Sequence, residues 1–316
     1  MAMPSTFLCN LNARGRLRLT GEDRVRFLNG QVTNDVKALC PGTGCYAAFT
    51  NNKGKMRADA VILNMDDGLL LDLEPAFDTR LAPDLERYII ADDVQVENVT
   101  ARWSVFTLVG ERAAEVLSQS DFCGSIPASL FEIQPLSKSE FPGGFCLRSR
   151  RAVSDAFDLW VDRSTETSLL SRLEKPLQQA GAVVAGQELL EIARVEAGIP
   201  RFGVDMDDTT LPPEAGMDEI AISYTKGCYV GQEVISRIKH VGHVNRALVR
   251  LRLEGGAVTG ISLSSKDREV GKLGSAVTSP RFGRIGLAIV RCEASAPGTV
   301  LASPAGEARV AHEFTA

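Results

Sequence analysis

The C-terminal part of the chain carries a pattern that few architectures accommodate. From Leu248 onward, short apolar runs alternate with glycine-rich turns, and no run has the spacing of an amphipathic helix. Such runs have no helix to cover their apolar faces, so they must pair with one another. The pattern therefore predicts a small closed β-barrel. Its predicted strands are 248–253, 261–263, 274–278, 285–290 and 308–314.

The preceding part of the chain mixes strands with amphipathic helices. A hairpin signal, Asn51-Asn-Lys-Gly54, joins two strand-like runs. The order of elements is typical of split-βαβ units with antiparallel sheets, so we expect an α+β fold and not a doubly wound parallel sheet. We predict two domains, 1–241 and 242–316. The predicted strands are 14–19, 46–50, 56–64, 69–73, 94–99, 103–109, 145–150 and 156–161, the helices 75–88, 111–118, 164–180 and 186–198, and the loop 121–144.

Composition and charge exclude several classes of protein. With 316 residues, of which 44% are hydrophobic and 24% charged, the chain can bury a large core and is not disordered. The net charge of −5 provides no global basic field, so we expect no direct nucleic-acid binding. Arginine and lysine cluster at 14–26 and 237–252, which we interpret as solvated charged faces, with a local basic patch as the alternative.

Cysteine usage and hydropathy indicate where in the cell the protein is located. The seven cysteines form no CxxC pair, and their odd number fits a reducing environment better than a disulfide framework. No stretch approaches the roughly 18 apolar residues of a membrane span. We therefore expect a soluble, cytoplasmic protein that does not bind membranes.

The chemically densest run lies just before the barrel. Gly227 and Gly231 bracket Cys228, as expected where the backbone turns with positive φ or approaches another group closely. Apolar residues at helical spacing follow from Val234, so a tight loop is predicted to lead into a short helix. The helix N-terminus and Lys226 would both favour the reactive thiolate of Cys228. Alternatively, Cys228 is a small buried apolar residue.

Two further patterns bear on the chemistry. Asp59 interrupts an apolar strand, so its carboxylate must be exposed, paired or functional, and exposure on the polar face is the default. His240 and His243 follow Cys228, but their spacing matches no structural zinc pattern and a fourth ligand is missing. We therefore expect no metal.

The run Lys226-Gly-Cys-Tyr-Val-Gly-Gln-Glu233 resembles KGCYxGQE, the signature octapeptide of the YgfZ-like folate-binding proteins. These proteins are paralogues of the glycine-cleavage T-protein, an aminomethyltransferase. The segment 27–36 is similar to their N-terminal motif FLxGQxTxDV, and we assign it to capping and turn structure. The resemblance covers nearly the whole chain. It implies a three-lobed cloverleaf: two interleaved split-βαβ units forming a central folate site, then a small β-barrel.

The resemblance also implies roles for single residues. Glu196 and Asp59 would hold the pterin ring of tetrahydrofolate, since a carboxylate accepts hydrogen bonds from a fork of donors. The T-protein has two adjacent aspartates where this chain has Ala58 and Asp59, which weakens a claim of aminomethyl transfer.

The octapeptide and the helix after it complete the implied site. Cys228 would be the reactive or sulfur-handling group, with Lys226 supporting its thiolate. Tyr229 and Gln232 are further candidate folate-binding residues, and Arg237 would contact the anionic tail of the folate.

Three functions stay open at this point. The resemblance implies a folate-dependent accessory protein that assembles or repairs iron–sulfur enzymes, including tRNA-modifying ones. Its partners would be iron–sulfur client or assembly proteins, and because clusters usually need four thiolates, one cysteine would handle a cluster only transiently. The alternative is an aminomethyl or one-carbon transferase that uses tetrahydrofolate. A third possibility, an RNA-binding module, is disfavoured by the acidic composition.

Overall fold

The computed structural model describes residues 3–314. Its strands are β1 Thr6–Asn10, β2 Gly15–Thr20, β3 Thr43–Thr50, β4 Met56–Met65, β5 Gly68–Leu73, β6 Gln95–Asn98, β7 Trp103–Gly110, β8 Ile133–Pro135, β9 Phe145–Arg148, β10 Ala156–Asp162, β11 Val183–Ala185, β12 Arg246–Leu253, β13 Ser262–Ser265, β14 Arg268–Ser279, β15 Gly283–Arg291, β16 Val300–Ser303 and β17 Gly306–Ala311. Its α-helices are α1 Arg24–Gln31, α2 Phe77–Glu86, α3 Ala113–Ser118, α4 Glu166–Gln179, α5 Gln187–Glu196, α6 Asp218–Ala221 and α7 Gln232–His240. None of the described helices is long and apolar enough to cross a membrane.

Two sheets form the N-terminal part and are interleaved along the chain. The first has the strand order β11-β1-β7-β10-β9-β8, and the second has the order β3-β4-β5-β2-β6. Strand β1 belongs to the first sheet, the chain then builds the second, and β7 returns to the first. All pairings are antiparallel except the parallel pair of β1 and β11. This arrangement confirms the predicted α+β class and its two interleaved units.

Strand periodicity explains how the sheets share a core. In β7, Val105 packs into a cluster between the two sheets, whereas Phe106 and Leu108 face the opposite side, where α3 and α4 cover the first sheet. The intersheet cluster centres on Trp160, which is fully buried and stacks on Phe145 with 5.3 Å between ring centroids. The outer face of the second sheet packs against α1 and α2. Each sheet therefore has an inner and an outer apolar face.

The C-terminal strands close into a barrel in the order β12-β15-β14-β13-β16-β17. This confirms the predicted small barrel, whose interior contains Leu251, Leu263 and Leu301. Strand β16 is absent from the sequence prediction because it has four residues and one fully buried apolar side chain, too few to show a period of two. The domain boundary between residues 241 and 242 stays a prediction.

Three short strands in the first sheet also differ from the sequence prediction. Strands β1 and β11 were not predicted, and β8 lies inside 121–144, which was predicted as a loop. Strands β8 and β11 have three residues each and form the two edges of the sheet. They are recognised as strands only because β8 pairs with β9 and β11 pairs with β1. Strand β9 ends at Arg148, two residues before the predicted end, which leaves Arg150 in a loop.

The octapeptide loop is held against the β3–β4 hairpin. Gly231 precedes α7 with φ +85°, and a Cβ there would lie 2.5 Å from the carbonyl oxygen of Asn51. The Thr50 hydroxyl donates a hydrogen bond to the carbonyl of Val230. Gly227, in contrast, has no atom within 4 Å of the corresponding position and no positive φ. Only the second of the two glycines therefore meets the backbone requirement that the sequence pattern indicates.

This difference predicts the effect of one added methyl group. We expect Gly231→Ala to lower the free energy of unfolding by about 1–3 kcal/mol, because alanine is strained at positive φ and would collide with the hairpin. The matched variant Gly227→Ala should change it by less than about 0.5 kcal/mol. Urea-induced unfolding measures both, and equal effects would contradict this account of the loop.

Candidate functional site

A cavity of about 420 Å³ lies where the two sheets meet α5 and the segment after it. Strands β3, β4 and β5 of the second sheet contribute to its walls, and the loop after β9 contributes from the first. Apolar side chains form part of its lining: Leu11, Val61, Phe131, Leu190, Ile199 and Pro200. The remaining lining is rich in aspartate, glutamate and arginine. The cavity therefore offers a mixed surface that suits a partly polar, flat molecule.

Asp59 lies in this cavity because of the period of β4. Ala58 and Ala60 face the core beneath α1 and α2, so Asp59 faces the space between the sheets. Its side chain is buried, which shows that the default expectation of an exposed carboxylate is wrong. The Tyr46 hydroxyl donates a hydrogen bond of 2.5 Å to it. No basic side chain of residues 3–314 forms an ion pair with it.

This environment changes the acidity of Asp59. Burial raises the pKa of its carboxyl group to about 7, and the nearby charge of Glu74 acts in the same direction. The hydrogen bond from Tyr46 opposes the shift without cancelling it. Burial and the Asp59 charge in turn raise the pKa of the Tyr46 hydroxyl. Asp59 can therefore accept a hydrogen bond or take up a proton near neutral pH.

Most of the other charges around the cavity compensate one another. Arg14 donates to Asp72 at 2.8 Å and to Glu74 at 2.5 Å, and Arg151 donates to Asp72 at 2.9 Å. Asp72 has a lowered pKa because these arginines outweigh its burial. Such buried pairs hold the wall in one geometry. These residues were not predicted, because their partners are far apart in sequence.

Helix α5 presents two carboxylates in different directions. Glu191 lines the cavity and forms ion pairs with Arg194 at 2.5 Å and Arg201 at 3.0 Å. Glu196, five residues later, accepts a 2.5 Å hydrogen bond from Ser279 of the barrel. Five helical residues correspond to about 140° of rotation, so the two side chains face different neighbours. Glu196 does not line the cavity, and its predicted contact with the pterin has no support from this placement.

Lys226 contacts the backbone and not, as predicted, the Cys228 thiolate. Its ammonium group is buried and donates to three backbone carbonyls, those of Asn29, Val32 and Asn34, at 2.7, 2.8 and 2.6 Å. These bonds use all three of its protons and fasten the octapeptide to the C-terminal end of α1 and to the residues after it. Burial lowers the pKa of Lys226 to about 8. Because its three protons are donated to backbone carbonyls, Lys226 does not support the Cys228 thiolate in this geometry.

The other predicted residues of the octapeptide region lie outside the cavity. Cys228 is exposed, so the alternative of a buried apolar cysteine is wrong. Tyr229 is buried beneath the loop, and burial raises its pKa to about 12. Gln232 is the first, half-buried residue of α7, and Arg237 is exposed on the same helix. The structure thus separates the exposed thiol from the cavity that contains Asp59.

The histidines after Cys228 do not form a metal site. Both His240 and His243 are exposed. Within residues 3–314, no group of three or more histidine, cysteine, aspartate or glutamate side chains is arranged to hold a metal ion.

Tyr46 was not predicted as a site residue, although the sequence contains the information that places it beside Asp59. The predicted hairpin turn at 51–54 implies that β3 and β4 pair, and the observed register sets Ala48 opposite Asp59 and Tyr46 opposite Val61. Tyr46 is therefore a diagonal neighbour of Asp59 on the same face. Following the hairpin through its register would have identified this pair.

The ionisation of Asp59 predicts how stability depends on pH. An unfolded aspartate loses its proton near pH 4, whereas folded Asp59 keeps its proton until about pH 7. The folded state thus binds more protons in this window, so stability falls as pH rises through it. Asp59→Asn keeps an acceptor for Tyr46 but cannot ionise. We expect this variant to be more stable than wild type at about pH 8, by at least about 1 kcal/mol.

Thermal or urea unfolding at several pH values measures this effect. The matched variant Asp66→Asn, at the exposed β4–β5 turn, should follow the wild-type profile. An Asp59→Asn profile that is parallel to wild type throughout would show that Asp59 ionises normally.

Comparisons with known proteins agree with this architecture. The family model of the GCVT N-terminal domain matches residues 4–226. The crystal structure of the glycine cleavage system aminomethyltransferase T from Bartonella henselae superposes with a TM-score of 0.86. That match covers 99% of this chain and 86% of the other at 18% identity, so it shows the shared fold.

Relatives with assigned names fall into more than one class. A putative chloroplastic transferase of Arabidopsis thaliana is 26% identical over 92% of this chain and 67% of its own length. An aminomethyltransferase of Rubrobacter xylanophilus is 27% identical over 90% of this chain and 75% of its own. The tRNA-modifying protein YgfZ of Colwellia psychrerythraea is 24% identical over 78% and 71%, respectively. Because the family model matches more than half of the chain, this protein belongs to the GCVT N-terminal domain family.

Proposed function

We propose that this protein binds tetrahydrofolate, with the pterin ring in the central cavity, and acts in the cytoplasm as a YgfZ-like accessory protein for iron–sulfur enzymes. The observation that carries the folate proposal is the buried Asp59 carboxylate, which has no ion-pair partner in the described residues and lies in a cavity whose lining is partly apolar. Ionising a buried carboxyl group that has no cation beside it is costly, and hydrogen-bond donors of a bound ligand would reduce that cost.

The chemistry of the cavity fits a pterin. The ring is flat and carries amino and N–H donors, which a carboxylate accepts as a pair. Asp59 supplies such an acceptor, and Phe131, Leu190 and Val61 supply apolar surface for the ring. Tyr46 orients the Asp59 carboxylate through its hydrogen bond. Bound tetrahydrofolate would supply nucleophilic nitrogens and the capacity to carry a one-carbon unit.

The octapeptide supports the accessory role. Its Lys226 fastens the loop to three carbonyls, and the loop presents Cys228 at the surface, away from the cavity. An exposed thiol can meet a partner protein, whereas one cysteine cannot hold a cluster permanently. The thiol would therefore handle sulfur or a cluster transiently while folate occupies a separate site.

A second candidate function is one-carbon transfer that uses the same folate. Asp59 favours it, because a carboxyl group with a pKa of about 7 can exchange a proton with a reacting nitrogen near neutral pH. Several relatives, including those of Rubrobacter xylanophilus and Bacillus subtilis, are named aminomethyltransferases. Both candidates require the folate site and differ in what Cys228 and Asp59 do.

Calorimetry with tetrahydrofolate tests the shared part of the proposal. We expect Asp59→Ala to weaken binding roughly ten-fold or more, because a charge-assisted hydrogen bond to the ring is lost. Cys228→Ser and Glu196→Ala should bind as wild type does, and thermal unfolding should confirm that each variant is folded. An absence of binding by the wild type would overturn the folate proposal.

A second experiment separates the two functions. In cells that lack the endogenous protein, we expect wild type to restore the activity of an iron–sulfur enzyme and Cys228→Ser to fail. Purified wild type should form no methylene-tetrahydrofolate from an aminomethylated lipoyl carrier. Turnover that is lost in Asp59→Asn and kept in Cys228→Ser would instead establish the transferase.

A further inference from the structure

A row of three charged side chains crosses one wall of the central cavity. The ladders on both sides of β5 end at Leu73, which pairs with β4 on one side and with β2 on the other. Continuing both registers by one residue sets Glu74 between Asp59 and Arg14. All three side chains line the cavity, and the 2.5 Å ion pair of Arg14 with Glu74 agrees with this order. Because opposite residues of antiparallel strands have Cβ atoms about 5 Å apart, Asp59 and Glu74 are lateral neighbours.

The two carboxyl groups differ in the partners that compensate them. Glu74, whose side chain is 15% exposed, accepts a hydrogen bond from Arg14 through Oε1, and its Oε2 lies 3.8 Å from Nε of Arg201. Asp59 is buried and accepts from the neutral hydroxyl of Tyr46. The titratable groups that act on Asp59 are therefore Tyr46 from β3, Glu74 after β5 and Arg14 before β2. Glu74 has two cations beside it, whereas the immediate neighbours of Asp59 are a like charge and a hydroxyl.

This asymmetry decides which group of the pair carries a proton. Two carboxyl groups this close do not both ionise cheaply, so their pKa values separate. Burial and the charge of Glu74 raise the pKa of Asp59 to about 7, and the more distant charge of Arg14 opposes the shift. The negative charge of the pair thus resides on Glu74 and the proton on Asp59.

We infer that Glu74 is a positioning residue that keeps a proton on Asp59 while the cavity is empty, and that a ligand with N–H donors displaces this proton when it binds. This inference rests on the proposed function, under which the donors belong to the pterin ring. The proton passes from the Asp59 carboxyl group to solvent, and the carboxylate that remains accepts the N–H groups of the ring. No other bond is made or broken.

Proton displacement makes binding depend on pH. Below about pH 7 the ligand must displace the proton, so its affinity falls as pH falls, by up to about ten-fold per pH unit. Above about pH 7 Asp59 is already ionised in the empty cavity, and the affinity levels off. Without the charge of Glu74, Asp59 ionises at lower pH, so the whole profile moves to lower pH.

Anaerobic calorimetry with tetrahydrofolate counts the displaced protons. Titrations at pH 6 in phosphate and in imidazole, whose heats of ionisation differ, should show that wild type releases about one proton per ligand. Glu74→Gln keeps an acceptor for Arg14 and should release about half as many or fewer. Asp59→Asn cannot release this proton and shows what the ligand itself contributes. The matched control Glu86→Gln, at the exposed end of α2, should behave as wild type does.

Urea unfolding without ligand tests the carboxyl pair independently of folate. Wild type loses stability as Asp59 ionises toward pH 7, and Glu74→Gln should complete this loss at lower pH. The stability of Glu74→Gln relative to wild type should therefore rise between about pH 5 and pH 7. The same substitution in the Asp59→Asn background should produce a difference that does not depend on pH, because the coupled partner is gone.

The outcomes distinguish this inference from the folate proposal. If the wild type does not bind tetrahydrofolate, the proposed function fails and proton displacement fails with it. If the wild type binds but releases no proton at pH 6, or Glu74→Gln releases as many protons as wild type, the folate site stands and the inference is overturned. Unfolding profiles of Glu74→Gln and wild type that are parallel at every pH would also overturn it, because Glu74 would then not hold the proton on Asp59.

Discussion

Buried charge must be compensated, and this constraint organises the centre of the molecule. Two sheets pack through an apolar cluster around Trp160, but at its edge the chain buries Asp72 and partly buries Arg14 and Arg151. Each of these charges has a partner on another strand or loop, and Arg151 joins the two sheets through Asp72 and Asp158. Against this background, Asp59 is distinctive because it is buried and forms no ion pair with a side chain of the described chain.

The octapeptide acts first as a structural clamp. Lys226 satisfies three carbonyls at the end of α1, and Gly231 allows the loop to approach the β3–β4 hairpin. The same hairpin carries Tyr46 and Asp59, so the loop supports the strands that form the cavity wall. Cys228 is left exposed on a loop that is fixed at both ends. The motif therefore couples the position of a surface thiol to the integrity of the central cavity without bringing the two together.

Elements with strong local signals were predictable. The barrel, the hairpin at 51–54 and the long helices α4 and α5 follow from periodicity and turn chemistry, and the structure confirms them. Strands of three or four residues, such as β8, β11 and β16, were not predicted, because so few residues show no periodicity in the sequence. Such short strands form only by pairing with a neighbouring strand. At the site, Asp59 stood out as a carboxylate in an apolar strand. Glu191 and Arg151 did not, since one helix glutamate or loop arginine resembles another until its neighbours are known.

The sequence by itself determined the fold class, the likeness to the glycine-cleavage T-protein, and the position of Asp59 as a carboxylate in an apolar strand, because these depend on local order and residue type. Only the tertiary structure decided which charges are compensated. Glu196 turns toward Ser279 of the barrel while Glu191 faces the cavity, and Lys226 bonds to carbonyls almost 200 residues away along the chain. Ion pairs and hydrogen bonds act over a few ångströms in space, whereas sequence patterns report on neighbours within a few residues. The composition of the binding site therefore emerges when the two sheets, α5 and the barrel come together.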